Sequence, residues 1–389
     1  MKEPSLEENI FQETKSSSEK GKKELAEISP SEGSNEIIKK FAFLNKAINH
    51  DEVVRVEDME NLENSLQGAK GMEVDIGGLR LSVGVWERLS IENPKFIESV
   101  REKSRIDGLD GFTFITPEIA RYLLKNCREL YFGNLEELTP EIAEILSECT
   151  HTLSFDKVAT ISDETAKYLS RYKGEYLYLG GLVVLSDASA EFFSKYSGSL
   201  SLRGLTKLSK FAADRLSEGE GFSLNLSGFT EISEELAESL SRCRRDSLDL
   251  NGLSSISEKV AEHLSRYQGK YILELNGLKD LSDEVAEQIA KYNGYLDLRD
   301  ITSISDSVAQ HLSAHKGRLG LHGLKSLTDI AAYHLSKHEG AELDLDEIRG
   351  ISEKAAEFLS HHKGNIDLQR APQVEGLIEK YKRQHGKTN

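Results

Sequence analysis

Residues 176–198 read YLYLGGLVVLSDASAEFFSKYSG, and residues 199–221 read SLSLRGLTKLSKFAADRLSEGEG. The same pattern returns at residues 295–317 as YLDLRDITSISDSVAQHLSAHKG. In each copy a Leu or Ile precedes a Ser or Thr, and this anchor recurs every 23 to 25 residues. The anchors are Ile115, Leu138, Ile161, Leu185, Leu208, Ile232, Ile256, Leu281, Ile304, Leu327 and Ile351. A fixed period of this length predicts a repeat architecture.

Each copy predicts one short strand followed by one helix. The Leu-x-Leu step, as in Leu177 and Leu179, has the alternation of a strand. The hydroxyl residue of the anchor, followed by an acidic residue or Pro, is typical of a helix N-terminus. Positions four, five and eight after the anchor are apolar, as in Val285, Ala286 and Ile289. The small Ala in the middle should let the helix lie close to the strand.

A glycine follows the helix in several copies. We expect these glycines to end their helices in the left-handed conformation. They include Gly174, Gly198, Gly269 and Gly317.

A single copy is too small to bury a core, so the copies must stack on one another. Because each strand returns through a helix and runs the same way, the stack predicts one parallel sheet with helices on its other side. Helices are wider than the ~4.8 Å spacing of strands, so the stack should curve with the sheet inside.

The Leu-x-Leu-x-Gly-Leu core resembles the signature of the leucine-rich-repeat family over residues 72–370. It departs from the common pattern because Gly usually stands where these repeats carry Asn or Cys, with Asn134 filling that position in one copy. The usual internal asparagine ladder should therefore be missing. The resemblance implies an α/β solenoid with a parallel sheet on its concave face and helices on its convex face. It also implies recognition of proteins or other ligands on the concave face, and it carries over no catalytic residues.

Composition divides the chain into four parts. Residues 1–35 are rich in Ser, Glu and Lys and are predicted to be a disordered tail. Residues 36–71 have apolar side chains at helical spacing and are predicted to form an N-terminal helical cap. The solenoid follows at 72–370 and begins with a less regular copy whose strand is predicted at residues 74–76. Residues 371–389 are predicted to form a helical cap with a basic tail, and a small basic docking tail is the alternative.

Charge and cysteine content limit the class of protein. The 66 acidic and 49 basic residues give a net charge of −17, which argues against a general nucleic-acid or anionic-membrane binder. Three cysteines, an odd number, favour a reducing compartment. The N-terminus has no apolar run of signal-peptide length, and no stretch approaches the length of a membrane span. We expect a cytoplasmic monomer, with delivery by a non-Sec route left open.

Residues that flank the inward leucines should project from the concave face. Asp249, Glu274 and Asp297 would lie on consecutive strands about 5 Å apart, an arrangement that costs stability when like charges are opposed. Tyrosines on the same face are of the type enriched at interface hot spots. The predicted partner-binding residues are Tyr131, Tyr176, Tyr178, Arg203, Asp249, Ile272, Glu274, Tyr295, Asp297, Arg299, Arg318, Asp344 and Asp346. The alternative interpretation is an ordinary solvated sheet face.

The sequence offers few candidates for chemistry. His311/His315 and His334/His338 have i, i+4 spacing, which can chelate a metal on a helix. The eleventh position after the anchor holds His315, His338 or a Tyr such as Tyr172, so a packed aromatic is the simpler explanation. Cysteines take that same position in two copies, Cys149 and Cys243, and are predicted to be packed core thiols; Cys127 lies one position further on.

Phosphate-loop, dinucleotide-binding and nucleophile-elbow motifs are not found in the sequence. We therefore predict no catalysis, no cofactor and no metal. The expected function is a protein-binding scaffold whose partner carries a basic segment. A bacterial effector acting by host-protein binding and an enzyme with residues on the concave face are the alternatives.

Overall fold

The computed structural model describes residues 73–76, 79–82, 115, 117–126 and 129–385. The predicted tail at 1–35, the predicted cap at 36–71 and Cys127 lie outside the described residues. Thirteen strands are described: β1 Glu73–Ile76, β2 Leu79–Ser82, β3 Leu130–Phe132, β4 Leu153–Phe155, β5 Tyr176–Tyr178, β6 Ser199–Ser201, β7 Ser223–Asn225, β8 Ser247–Asp249, β9 Ile272–Glu274, β10 Tyr295–Asp297, β11 Leu319–Gly320, β12 Glu342–Asp344 and β13 Asn365–Asp367.

Helices alternate with the strands from β3 onward. The described helices are α1 Pro117–Asn126, α2 Pro140–Leu146, α3 Asp163–Leu169, α4 Asp187–Phe193, α5 Lys210–Glu218, α6 Glu234–Ser241, α7 Glu258–Leu264, α8 Asp283–Ile289, α9 Asp306–Leu312, α10 Asp329–Leu335, α11 Glu353–Leu359 and α12 Pro372–His385. Among these residues no helix combines the length and the apolar composition needed to cross a membrane.

Strands β3 to β13 form one eleven-stranded sheet in which every strand pairs with its neighbours in the sequence. All of these pairs are parallel, and equivalent leucines face each other, such as Leu177 with Leu200 and Leu248 with Leu273. Successive helices also contact one another along the stack. The described units therefore form an α/β solenoid of the leucine-rich-repeat type, as the sequence predicted.

Hydroxyl residues begin the helices at the predicted positions. In α2 to α11 the Ser or Thr of the anchor is extended and its side chain accepts a hydrogen bond from the backbone N–H three residues later, as Ser186 does from Ser189 at 3.0 Å. Each such cap contributes about 1 kcal/mol to helix stability. Ten equivalent caps therefore fix where the ten helices start.

The core lies between the sheet and the helices. The inward strand residues are fully buried, with Leu177, Leu248 and Leu296 each 0% exposed. The Ala of each helix is equally buried, as Ala190 and Ala261 show, which confirms its predicted packing against the strand layer. Burying one Leu contributes about 2 kcal/mol, so the repeated apolar positions supply most of the stability.

The predicted role of the glycines is wrong. The helices end several residues earlier, for example at Ser194 in the right-handed conformation. Of the described glycines, Gly221 has a positive φ, whereas Gly198 and Gly269 do not. A Cβ at Gly198 would lie 2.1 Å from the Tyr196 hydroxyl and 2.5 Å from the Glu175 carbonyl. Glycine is required there because neighbouring repeats approach closely.

The predicted first repeat does not join the main sheet. Strands β1 and β2 pair with each other in a separate two-stranded sheet. Only two residues, Gly77 and Gly78, separate them, and Gly-Gly between two short strands is a hairpin signal. The Leu pattern predicted an irregular repeat there, and the Gly-Gly signal was missed.

The C-terminal helix α12 packs on the last repeat. Val374 and Ile378 are buried, and the Tyr381 hydroxyl donates to a Glu353 carboxylate oxygen at 2.6 Å. Lys380 Nζ lies 3.3 Å from Oε1 of the same carboxylate. The helix therefore buries apolar residues at the end of the repeat array.

A buried column runs through the eleventh position after each anchor. Its aromatic members are Tyr172, Tyr196, Tyr267, Tyr292, His315, His338 and His362. The tyrosines bond to backbone carbonyls, as Tyr196 does to Gly174 at 2.9 Å and Tyr267 to Arg245 at 2.6 Å. Cys149 also lies in this column and is buried, which confirms it as a packed thiol.

One repeat departs from the column because Gly219 stands at its position. The Arg245 side chain, fully buried, enters this region and donates to the carbonyls of Tyr196 at 2.7 Å, Gly198 at 2.7 Å and Phe193 at 3.2 Å. Phe193 is the last residue of α4, so the guanidinium lies where helix carbonyls lack partners and the dipole favours a cation. Cys243, two residues earlier, is buried as predicted.

Candidate functional site: the outward face of the sheet

The register places six of the predicted site residues in one row across the sheet, namely Tyr131, Tyr178, Asp249, Glu274, Asp297 and Asp344. Tyr178 pairs with Ser201, Asn225 pairs with Asp249, and Glu274 pairs with both Asp249 and Asp297. Along β5 the exposure alternates, with Leu177 buried between exposed Tyr176 and Tyr178. The residues between the inward leucines therefore lie on the face of the sheet that points away from the helices.

Three tyrosines form an exposed aromatic group at the β3–β5 end of this face. Tyr131, Tyr176 and Tyr178 are 37%, 39% and 36% exposed. The rings of Tyr176 and Tyr178 lie 6.3 Å apart and nearly parallel, at 7°. Aromatic side chains contribute large contact area at low cost in conformational entropy.

A depression of about 200 Å³ begins beside these tyrosines. Tyr176 and Tyr178 line one end, and Asp249 and Glu274 line the other. Serines and Asn225 on β6 to β8 line the space between them. Small side chains on three successive strands therefore leave room between an aromatic and an acidic wall.

Amide side chains separate the acidic residues of the row. Asn225 donates to Asp249, Asn251 donates to Glu274 at 2.9 Å, and Asn276 donates to Asp297 at 3.2 Å. Each carboxylate thus has a donor, which reduces the cost of stacking like charges. These amides were missed in the sequence, although all three lie one strand before the acid they contact.

Two of these asparagines also link the backbones of neighbouring repeats. The Asn251 side-chain oxygen accepts from the Asn276 N–H at 2.9 Å, and the Asn276 oxygen accepts from the Arg299 N–H at 2.8 Å. A short asparagine ladder therefore exists, but directly after the second inward leucine and not at the Gly position of the repeat.

Burial changes the pKa values of the acidic residues in this row. It is the main cause that raises the pKa of Asp249, Glu274 and Asp297 above the ordinary value of a carboxyl group. For Glu274 the neighbouring carboxylates of Asp249 and Asp297 add to the increase. A cation placed beside this row would be attracted to charges held in partly desolvated positions.

Asp297 and Asp344 lie deepest, each 1% exposed. The His322 imidazole lies between them, with Nδ1 3.0 Å from Asp344 Oδ1 and Nε2 3.9 Å from Asp297 Oδ1. The Tyr295 hydroxyl is 3.2 Å from His322 Nε2. Gly320 makes room for this arrangement, because a Cβ there would lie 2.9 Å from Asp297 Oδ1 and 3.0 Å from the Tyr295 ring.

Arginines neutralise this deep pair. Arg299 lies 3.3 Å from Asp297 Oδ2. Arg318 lies 3.2 Å from Glu342 and 3.4 Å from Asp344, and its guanidinium stands 4.5 Å from the centre of the Tyr295 ring. We call Tyr295, Asp297, Arg299, Arg318, His322 and Asp344 the neutralised cluster.

Tyr295, His322 and Asp344 form a hydrogen-bonded chain that resembles a nucleophile, base and orienting acid. Burial raises the pKa of Tyr295 to about 12. The phenol is therefore protonated at neutral pH.

The other predicted residues lie near this row. Arg203 reaches across Gly180 to Asp156 at 2.9 Å. Asp346 accepts from the Arg370 N–H at 2.9 Å and lies 3.6 Å from its side chain. Ile272 is partly exposed next to Tyr271, which is 66% exposed and was not predicted.

The histidine pairs do not share a helix face. Helix α9 ends at Leu312 and α10 at Leu335, so His315 and His338 lie in the turns that follow. His315, His338 and His362 stack instead, with ring centres 5.9 Å and 5.6 Å apart. Over the described ranges, no group of three or more His, Cys, Asp or Glu is arranged to hold a metal ion.

No protein-family model matches the chain, and no curated protein matches it. Among solved structures, the TLR13–ssRNA13 complex is similar at 19% identity and a TM-score of 0.40 over 63% of this chain and 37% of that one. An internalin from Listeria monocytogenes is similar at 14% identity and a TM-score of 0.30, over 66% and 91% of the two chains. The Rad7–Elc1 complex of yeast gives 16% identity and a TM-score of 0.38 over 86% and 85%.

The chain spans little more than a third of the TLR13 chain. At such low TM-scores these structures share only a general likeness with this chain. Its strand order, parallel register and repeated caps define the fold on their own.

Proposed function

We propose that this leucine-rich-repeat solenoid is a non-enzymatic protein-binding module, and that the outward face of its sheet docks a partner with a basic segment. One observation carries the proposal: exposed Tyr178, with Tyr176 stacked beside it, lies in register with Asp249 and Glu274. Among the described residues, these two carboxylates have amide donors and no cation within 4.0 Å. Such a face presents both an aromatic anchor and unneutralised negative charge.

The energetics favour recognition by this face. Tyrosines supply rigid contact area, and their burial in an interface commonly makes them hot spots. Adjacent carboxylates attract a basic partner and accelerate encounter at low salt. The net charge of −17 repels nucleic acids and anionic membranes. Both a cytoplasmic scaffold and a delivered effector would use the face in this way.

A capture experiment tests the proposal. The full chain is used as bait, and bound proteins are cross-linked and mapped by mass spectrometry. We expect cross-links on β5 to β9, and at least a tenfold loss of the partner when Tyr176 and Tyr178 are both changed to Ala. The matched control is Phe211→Ala, an aromatic residue of helix α5 that is 46% exposed. It should retain the partner.

Two results would contradict the proposal. One is a partner that survives the double tyrosine variant and is lost with Phe211→Ala, because the helix face would then be the interface. The other is substrate turnover that disappears with His322→Gln. That result would favour an enzyme built on the Tyr295–His322–Asp344 chain.

A further inference from the structure

The acidic residues of the sheet face differ in whether a cation neutralises them. Asp156, Asp297, Asp344 and Asp346 each have an arginine within 4.0 Å. In the described part of the chain, no Lys, Arg or His lies that close to Asp249 or Glu274, whose partners are amides. These two carboxylates therefore form no ion pair with a described residue, although Arg299 acts on Glu274 from farther away, and they line one end of the depression.

The opposite end of the depression is aromatic. Tyr176 and Tyr178 stack on each other there and remain more than a third exposed. Between the two ends lie serines of β6, β7 and β8, with Ser201 only 6% exposed. The small side chains of these serines leave room for an extended backbone.

The distance between the two ends suits an extended chain. Tyr178 on β5 and Asp249 on β8 occupy the same row three strands apart, which is about 14 Å at the usual strand spacing. An extended segment advances about 3.3 Å per residue, and its residues i, i+2 and i+4 share a face. Residues i and i+4 therefore lie about 13 Å apart and can contact both ends at once.

We infer that the depression binds an extended segment of the protein partner that crosses the strands, with an aromatic side chain against Tyr176 and Tyr178 and an Arg or Lys four residues away against Asp249 and Glu274. The inference rests on the proposed function and specifies the partner's side chains and their spacing. Arg fits best, because its planar guanidinium pairs with carboxylates through two hydrogen bonds.

Two peptides of identical composition test the spacing. Ac-Gly-Tyr-Thr-Ser-Thr-Arg-Gly-NH2 has Tyr and Arg four residues apart, and Ac-Gly-Tyr-Thr-Ser-Arg-Thr-Gly-NH2 has them three apart, on opposite faces of an extended chain. A third peptide replaces Arg of the first by neutral citrulline. Binding to the full chain is measured by calorimetry at low and high salt. We expect the first peptide to bind about fivefold to tenfold more tightly than either control at low salt.

Paired variants test whether the carboxylates of Asp249 and Glu274 bind the cation of the peptide. Asp249→Asn with Glu274→Gln keeps acceptor oxygens for Asn225 and Asn251, so the fold should persist, as an unchanged melting temperature would show. We expect this variant to bind the first peptide no better than the citrulline peptide and to lose the salt dependence. The control, Glu238→Gln with Glu262→Gln, removes the same charge from arginine-paired positions on helices α6 and α7 and should bind like the wild type.

The inference is overturned if the spacing isomers bind equally, or if the Asp249/Glu274 variant binds the first peptide as the wild type does. Either result together with partner loss in the Tyr176/Tyr178 variant would refute the depression as the cation site and leave the proposed function standing. Partner retention in both variants would overturn the two proposals together.

Discussion

Two parts of the solenoid have the same backbone arrangement but differ in how their charged side chains are paired. They are the middle, residues 172–274, and the C-terminal part, residues 292–367. In the middle, the buried column contains tyrosines and the Arg245 guanidinium, and no described cation lies within 4.0 Å of the outward acids Asp249 and Glu274. In the C-terminal part, the column contains neutral aromatic rings ending in His362, and the outward acids Asp297 and Asp344 are paired with arginines.

This contrast separates what the repeat specifies from what single residues specify. Leucine, alanine and the capping hydroxyl recur in both regions and set the same register. The positions between them are free to vary, because they affect neither the strand pairing nor the helix starts. Charge can therefore be exposed for a partner in one region and neutralised within the fold in another.

Arg245→Ala should have the largest effect on stability, because it disrupts the packing of the middle region. The substitution leaves a cavity and removes the donors to the carbonyls of Phe193, Tyr196 and Gly198. We expect a loss of about 3–5 kcal/mol in the free energy of unfolding, measured by urea denaturation. The control is Arg244→Ala, whose side chain is 61% exposed and which should change stability by less than about 0.5 kcal/mol. Equal effects of the two variants would mean that Arg245 does not hold the repeats together.

Lowering the pH should destabilise the C-terminal part more than the middle. Burial, with smaller contributions from His315 and His362, lowers the pKa of His338 from 6.5 to about 4. The unfolded chain therefore binds the proton more tightly, and stability that is complete above the unfolded pKa is lost as pH falls through 6.5 toward 4. For His338 alone the loss is about 2 kcal/mol between pH 7 and pH 5.

Variants at positions of the buried column isolate the contribution of histidine protonation to stability. His338→Tyr should reduce the difference in unfolding free energy between pH 7 and pH 5, and Tyr292→His should enlarge it. Carboxyl groups with raised pKa, such as Asp297, act in the opposite direction, since protonation relieves their burial. Their contribution is common to wild type and variants and cancels in the comparison. A pH difference that is identical in all three proteins would show that the histidine stack is not acid-sensitive.

Gly320→Ala should have a smaller effect, on the order of 1 kcal/mol, by crowding the neutralised cluster. The added Cβ would lie 2.9 Å from Asp297 Oδ1 and 3.0 Å from the Tyr295 ring, so both side chains must shift away from it. Gly350→Ala is the control, because nothing lies within 4 Å of a Cβ there. Thermal melting would compare them, and a stability equal to that of the control would show that the cluster adapts freely.

Much of the fold followed from local chemistry. The Ser or Thr of each anchor caps its helix where predicted, and the alanines are buried where a small residue was expected. The row containing Asp249, Glu274 and Asp297 was also correct, because strand register follows directly from the repeat. The Leu pattern near Leu79 led to an error, since a separate two-stranded sheet and an irregular repeat both begin with short apolar strands.

Contacts between side chains of different repeats were less predictable. Nothing local to Arg245 indicates that it enters the region of Gly219, because its acceptors lie 22 to 52 residues earlier. Likewise, Gly320 leaves room for the Tyr295 ring and the Asp297 carboxylate only once strands β10 and β11 are paired.

The sequence by itself determined the period, the strand and helix of each unit, the parallel register and the row of side chains on the outward face. These depend on short-range rules, namely alternation, capping and apolar spacing, which repeat every 23 to 25 residues. Only the tertiary structure decided which acids are neutralised, which ring lies over which glycine and where a guanidinium is buried. Those outcomes depend on side chains from repeats far apart in the chain meeting within a few ångströms, and a one-dimensional pattern does not encode that distance.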